Sequence, residues 1–252
     1  MGYLEEVKQV GKLETFDPEA FNPSPEWPKD ICDFILALSA ASNDLRDTFM
    51  CMYLLREDHK KNSDGSDIRY VALSGGVTIA LRRLMVGVIH ELLRLVKANA
   101  NSIDSGAFRS IYQDLSRRSK EAWDRIWESA NSKPVAGTLG RALLMCRNKV
   151  GFHYDAAQIG KAYRKRFCVE ESKGPPVVSR GQTMRSRRFY FSDAAVEAFI
   201  GDIANDPEIE KLFMGQGELL EDINRSLYEI VVKFINKRGF AFREYRHGTE
   251  RA

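Results

Sequence analysis

The sequence predicts an all-α protein: a helical bundle of long antiparallel helices, joined by a basic loop or short β-hairpin to further helices at the C-terminal end. Two observations carry this expectation. Apolar residues recur at three- and four-residue intervals through most of the 252 residues, the spacing that lines one face of a helix. Strand-like composition is confined to the aromatic stretch Arg187-Arg188-Phe189-Tyr190-Phe191 and to a short tail around Phe240, Phe242 and Tyr245.

Residues 1–28 hold Pro18, Pro23, Pro25 and Pro28, half of the eight prolines, and read as an extended arm that wraps or dangles before the folded body. A first helix is expected from Lys29 to about Lys61, on Phe34, Leu38, Ala41, Leu45, Phe49 and Met52. The polar cluster Asn62 to Asp67 ends it. A second runs from about Asp67 to Ala98, with Leu81, Leu84, Met85, Val88, Leu92, Leu95 and Val96 as its apolar stripe and Gly75-Gly76 as a kink site. Arg83, His90, Arg94 and Lys97 make its other side basic, and read as a solvated face.

Asp104 or Ser105 caps a third helix that carries Tyr112, Leu115, Ala122, Trp123, Ile126 and Trp127 and ends near Ala130. A fourth covers about 135–166, stopping the bundle domain at residue 166. Residues 167–191 form the basic loop or hairpin, and Ser192-Asp193 caps a short helix over Ala194 to Asp202. The last long helix runs from about Gln216 to Arg238, buries Leu219, Leu220, Ile223, Leu227, Ile230, Val231 and Phe234, and stops at Gly239. The C-terminal helices of 192–252 are expected to pack on the 29–166 bundle.

Composition narrows the function classes. A hydrophobic content of 44% is enough for a substantial core. The most apolar stretch, Val77 to Val96, carries Arg82, Arg83, His90, Glu91 and Arg94, too many charges for a lipid span. The opening Met1-Gly2-Tyr3-Leu4-Glu5-Glu6 lacks the basic and apolar regions of a secretory signal, so a cytoplasmic protein without membrane partners is expected. Cys32, Cys51, Cys146 and Cys168 lie far apart in apolar or helical contexts and read as small buried thiols, with no metal or disulfide spacing. There is no Gly-rich phosphate loop and no Gly-X-Ser-X-Gly elbow. His90-Glu91 is followed by Leu92-Leu93-Arg94, which lacks the second histidine of a zinc motif.

The formal net charge is only +3, yet Lys161 to Arg188 holds nine basic residues against two acidic ones, a local excess of seven. A basic stretch on an otherwise mildly acidic chain points to a polyanionic partner. The interleaved aromatics Tyr163, Phe167, Phe189 and Tyr190 fit RNA, stacking bases while Lys and Arg contact phosphates; a solvated loop is the plain alternative.

The chemically pointed segment is Arg147-Asn148-Lys149-Val150-Gly151-Phe152-His153. Leu139, Leu143, Cys146 and Val150 form the apolar stripe of that helix, with His153 at its border. Arginine binds phosphate in a bidentate manner, histidine moves protons near neutral pH, and an amide can orient either. No metal or cofactor is demanded. On an ideal helix, however, residues six apart diverge by about 120°, so Arg147 and His153 make a poor site within one straight helix. A core-edge histidine beside a salt-bridged arginine would leave the same pattern.

Cys146-Arg147-Asn148-Lys149-Val150-Gly151-Phe152-His153-Tyr154-Asp155 resembles the Arg-X(4 to 6)-His signature of the HEPN superfamily, in which a polar residue follows the arginine. The form is similar to that of uncharacterised and abortive-infection branches. The resemblance implies a helical bundle that dimerises, so that two motifs face each other in one composite cleft. It implies a metal-independent endoribonuclease of toxin, antiphage or RNA-processing systems, with an antitoxin or regulatory protein as a further partner, or else a non-catalytic module binding RNA, nucleotide or protein. Arg147 would stabilise the scissile phosphate, His153 would act as general acid or base, and Asn148 would position them. Lys149, Tyr154, Lys161, Arg164, Lys165 and Arg166 would bind substrate. One branch carries a modified tyrosine two residues after the histidine; here Tyr154 is adjacent to His153 and position 155 is Asp, so that regulation is not expected.

Overall fold

The computed structural model describes residues 13–62, 68–131, 156–169, 189–203 and 217–244, together with the isolated positions 176, 178, 180 and 182. The described chain is mostly helical, with eight helices, antiparallel packing and one small two-stranded sheet formed near the two ends of the sequence. The helices are α1 (Lys29–Asn62), α2 (Ile68–Ala98), α3 (Ala100–Ile103), α4 (Gly106–Gln113), α5 (Arg117–Asn131), α6 (Ala156–Arg164), α7 (Tyr190–Ile203) and α8 (Gly217–Lys237). The strands are β1 (Glu14–Thr15) and β2 (Arg243–Glu244), paired antiparallel with Glu14 opposite Glu244 and Thr15 opposite Arg243.

The chain divides into two compact units. The first is Met1–Arg46, Leu92–Asn131 and Gly217–Ala252; the second is Asp47–Glu91 and Ser132–Gln216. The divisions fall inside α1 and α2.

In the first unit, the core is built from the expected stripe of α1, with Phe34, Leu38 and Leu45 buried. Phe34 meets Phe108 of α4 with ring centroids 5.9 Å apart, and Phe108 meets Trp123 of α5 at 5.1 Å. Helix α8 adds Ile223, Leu227, Ile230 and Phe234, all buried at the i, i+4, i+7, i+11 spacing of one helical face. It packs on α4 and α5. Asn224 of α8 donates from Nδ2 to the Ser42 carbonyl of α1 at 2.7 Å and to Ser42 Oγ at 2.9 Å, so a polar tie joins the last helix to the first.

From Leu13 onward the proline-rich arm is folded onto this unit. Asp17 caps a 3-10 turn over Pro18–Phe21 by accepting from the Glu19 amide, and Ala20 and Trp27 are buried. Phe21 and Trp27 both meet the Phe234 ring, Phe21 tilted at 5.2 Å and Trp27 edge-on at 5.3 Å, while Phe16 meets Phe242 edge-on at 5.7 Å. Arg238 closes the arrangement. It donates to the Ala20 carbonyl and holds its guanidinium against the rings of Phe234 and Phe240.

Several sequence expectations need correction. The third helix is two helices. The amides of Asp114 and Leu115 make tight-turn hydrogen bonds to Ile111 and Tyr112, and the Ser116 amide leaves the helical ladder for a side chain of α8, so the chain breaks at 114–116. Ser105, of the two capping candidates, is the residue that caps α4, accepting from the Phe108 amide at 3.2 Å.

Tyr190 and Phe191 are helical rather than strand-like. Helix α7 starts two residues before its expected cap, because the Phe189 carbonyl accepts from the amides of Ser192 and Asp193. The apolar stripe of α2 holds in part: Met85, Leu92 and Val96 are buried as expected, Ile79, Val86 and Ile89 join them, and Leu84 is 44% exposed. The helix runs on through Gly75 and Gly76. Cys32 is a buried thiol, but Cys51 and Cys168 are exposed, since each falls on the outer side of its helix; Cys146 lies outside the described residues.

The expected end of the last helix holds. Gly239 has φ +81°, and its amide donates to the Asn236 carbonyl while the Phe240 amide donates to Ile235, the paired bonds of a Schellman terminus.

Candidate nucleic-acid interface

The residues expected to perform chemistry, Arg147, Asn148 and His153, lie outside the described residues, as do Lys149 and Tyr154. The described part of the candidate site begins immediately after them, at α6, and belongs to the second unit.

Helix α6 divides its residues by the 3.6-residue period. Lys161, Arg164, Lys165 and Cys168, spaced three, four and seven apart, are exposed; Ala162 is buried, and Tyr163, Arg166 and Phe167 are half-buried. The helix tightens no further at Arg164 but widens into a π-helical turn over Lys165–Val169. Such turns insert a residue into the helical ladder and re-aim the side chains that follow. Of the four cations assigned to substrate on this helix, Lys161, Arg164 and Lys165 point outward. Arg166 is turned inward, with its guanidinium carbon 5.8 Å from the centre of the Phe167 ring.

Arg164 folds back along its own helix over Gly160, its Nη1 lying 3.4 Å from where a β-carbon would stand at that glycine. Among the described residues neither Lys161 nor Arg164 has a carboxylate partner.

Helices α6 and α7 pack together, and their buried positions include Ala162 and Ala195, whose short side chains permit close approach. That packing gathers four aromatic rings. Tyr163 meets Phe167 at 5.0 Å and Phe191 at 5.8 Å, and Phe191 meets Phe189 at 5.7 Å in an edge-on arrangement. The cluster runs from half-buried Tyr163 to Phe189, which is 64% exposed.

Sequence reading singled out Tyr163, Phe167, Phe189 and Tyr190 as stacking residues and missed Phe191, which joins Tyr163 to Phe189. The stretch was expected as a loop or short hairpin, which assigns Phe191 no partner; its place in the first turn of a helix packed on α6 is what brings it against Tyr163.

Among the described residues no group of three His, Cys, Asp or Glu side chains converges as a metal site would require, and no helix is long and apolar enough to cross a membrane. No family model, curated protein or solved structure matches the chain.

Proposed function

We propose that this chain is a HEPN-type, metal-independent endoribonuclease, acting as a toxin or antiphage effector through a composite site at a homodimer interface. The observation that carries the reading is the Arg147-Asn148…His153 motif standing directly before a helix whose outward face presents Lys161, Arg164 and Lys165. In the proposed reaction Arg147 neutralises the phosphate, and His153 takes the proton from the attacking 2′-hydroxyl or supplies one to the leaving 5′-oxygen. Asn148 holds the two in register. Dimerisation is part of the proposal, because the divergence of positions 147 and 153 on one helix is relieved when each chain contributes to a shared cleft.

The test is incubation of purified protein with RNA in the presence of a chelator, comparing the wild type with Arg147→Ala and His153→Ala. Cleavage by the wild type and its loss in both variants is the expected result. Equal cleavage by all three, or none by the wild type across varied RNAs, overturns the nuclease.

A second reading, a non-catalytic module that binds RNA, is favoured by one specific observation: the aromatic cluster built on the helix that carries the outward cations needs no reaction to be useful. Under that reading Arg147→Ala weakens RNA retention without any cleavage to lose.

A further inference from the structure

We propose that Phe189, backed by Phe191 and through it by Tyr163 and Phe167, is a stacking platform for the unpaired bases of an RNA strand, with the outward Lys161 and Arg164 of α6 as its phosphate contacts. This rests on the RNA-directed reading above but uses none of the motif residues, so it stands or falls by its own measurement.

Three features point to an unpaired polynucleotide rather than to a duplex or a protein. First, Phe189 is 64% exposed while it is held in place from behind, at 5.7 Å from Phe191, which in turn meets Tyr163. An exposed phenyl ring on a fixed base offers a π-face that every unpaired base can cover. A base inside a duplex has no free face to offer. Second, the placement is rigid. Phe189 occupies the position before the first turn of α7, and its carbonyl accepts from the amides of Ser192 at 3.0 Å and Asp193 at 3.4 Å. Third, cations stand on the same pair of packed helices: Lys161 and Arg164 face outward on α6, the helix that carries Tyr163. In the sequence, the stretch from Lys161 to Arg188 carries a local excess of seven positive charges. An apolar protein partner would not call for this charge, and an acidic one would not call for the exposed ring.

The experiment uses the full chain carrying His153→Ala, so that binding is read without cleavage. Fluorescence anisotropy is measured on an unstructured RNA of roughly 12 nucleotides, within the site sizes such surfaces cover, on the same sequence as a duplex, and on a polyglutamate peptide. Phe189→Ala is expected to weaken single-strand binding about tenfold while leaving duplex binding unchanged, and Phe189→Tyr to retain it. The double variant Lys161→Gln with Arg164→Gln is expected to lower the salt dependence of single-strand binding by about 1.4 logarithmic units per logarithm of salt, near 0.7 per lost contact. Equal single-strand affinity of Phe189→Ala and its parent overturns the platform. So does an equal loss on duplex, or polyglutamate binding as tightly as RNA. If cleavage is absent in the wild type while Phe189→Ala still weakens single-strand binding and spares duplex binding, the nuclease fails and the platform stands.

Discussion

Glu229 and Ser116, separated by 113 residues in the chain, are joined by two hydrogen bonds of 2.8 Å: the Ser116 amide donates to Oε1 and its hydroxyl donates to Oε2. The amide of Ser116, just before the first turn of α5, is thus bound by a carboxylate from α8, where the positive end of the helix dipole favours a negative charge. The same seam continues inward. Ser226 donates its hydroxyl to the Ser119 carbonyl at 2.9 Å with both residues fully buried, and Arg118 pairs with Asp222. The pairings 114 with 237, 116 with 229 and 119 with 226 show α5 and α8 running antiparallel.

Glu229→Gln is expected to lower stability near neutral pH by about 1 kcal/mol, the scale of a lost helix cap. Burial acts to raise the Glu229 carboxyl, but the hydroxyls of Ser119 and Ser116, the Ser116 amide and the charge of Lys233 outweigh it and hold the group below its ordinary value of 4.5. The unfolded chain therefore binds the proton more readily than the folded one. The contribution is fully present above pH 4.5 and is lost as pH falls through the lowered value. Thermal melts from pH 7 down to 3 should show a shallower acid-side decline in Glu229→Gln than in the wild type; identical slopes would refute this role.

Phe234→Ala should cost about 3–5 kcal/mol, the range for deleting a buried aromatic side chain. The ring is fully buried and is the common contact of Phe21 and Trp27, so the loss also loosens the N-terminal arm. Urea unfolding followed by circular dichroism measures the first effect, and limited proteolysis between residues 13 and 28 the second. A variant as stable as the wild type, or one whose arm stays equally protected, would be inconsistent with the clasp.

Gly239→Ala is expected to lose about 1–2 kcal/mol, because a β-carbon is strained at φ +81° even though no neighbouring atom would clash with it. Gly239→Asn, which tolerates the left-handed region better, should lose less. The order Gly, Asn, Ala in melting temperature is the measurement, and an alanine variant equal to the parent would remove the case for a Schellman terminus.

Alkylation of the native protein should modify Cys51 and Cys168 and spare Cys32 until denaturant is added. Cys32 is buried, and that burial pushes its thiol up against the opposing charge of Arg238, so little reactive thiolate forms. Peptide mapping by mass spectrometry reads the pattern. Modification of Cys32 at the rate of Cys51 in the native state would contradict the packing around Arg238.

How far the fold was legible depended on whether a signal was local. The starts of α1 and α2, the end of α8 at Gly239 and the cap at Ser105 follow from residues within one turn of the feature, and local physics suffices for each. The break at Asp114–Ser116 was hidden, since Tyr112, Leu115, Ala122 and Ile126 keep a helical spacing across it. The residue that rewards breaking the helix, Glu229, lies on the far end of the chain. The stripe of α2 was only partly legible for a related reason: apolar residues surround most of that helix, and which of them are buried, Ile79 and Ile89 but not Leu84, depends on what packs against them.

The candidate site divides the same way. The charge excess, the aromatic content and the Arg147…His153 pattern are properties of the residues and their spacing, so the sequence by itself determined that this helical chain carries a basic, aromatic-rich segment next to the Arg147-Asn148…His153 pattern. Only the tertiary structure decided which rings meet. Phe191 joins Tyr163 to Phe189 because α6 and α7 pack through small residues, and Arg166 is turned against Phe167 while Lys161 and Arg164 remain outside. Periodicity assigns a face to each helix, but the partner of that face comes from elements distant in sequence, and burial is a property of the pair.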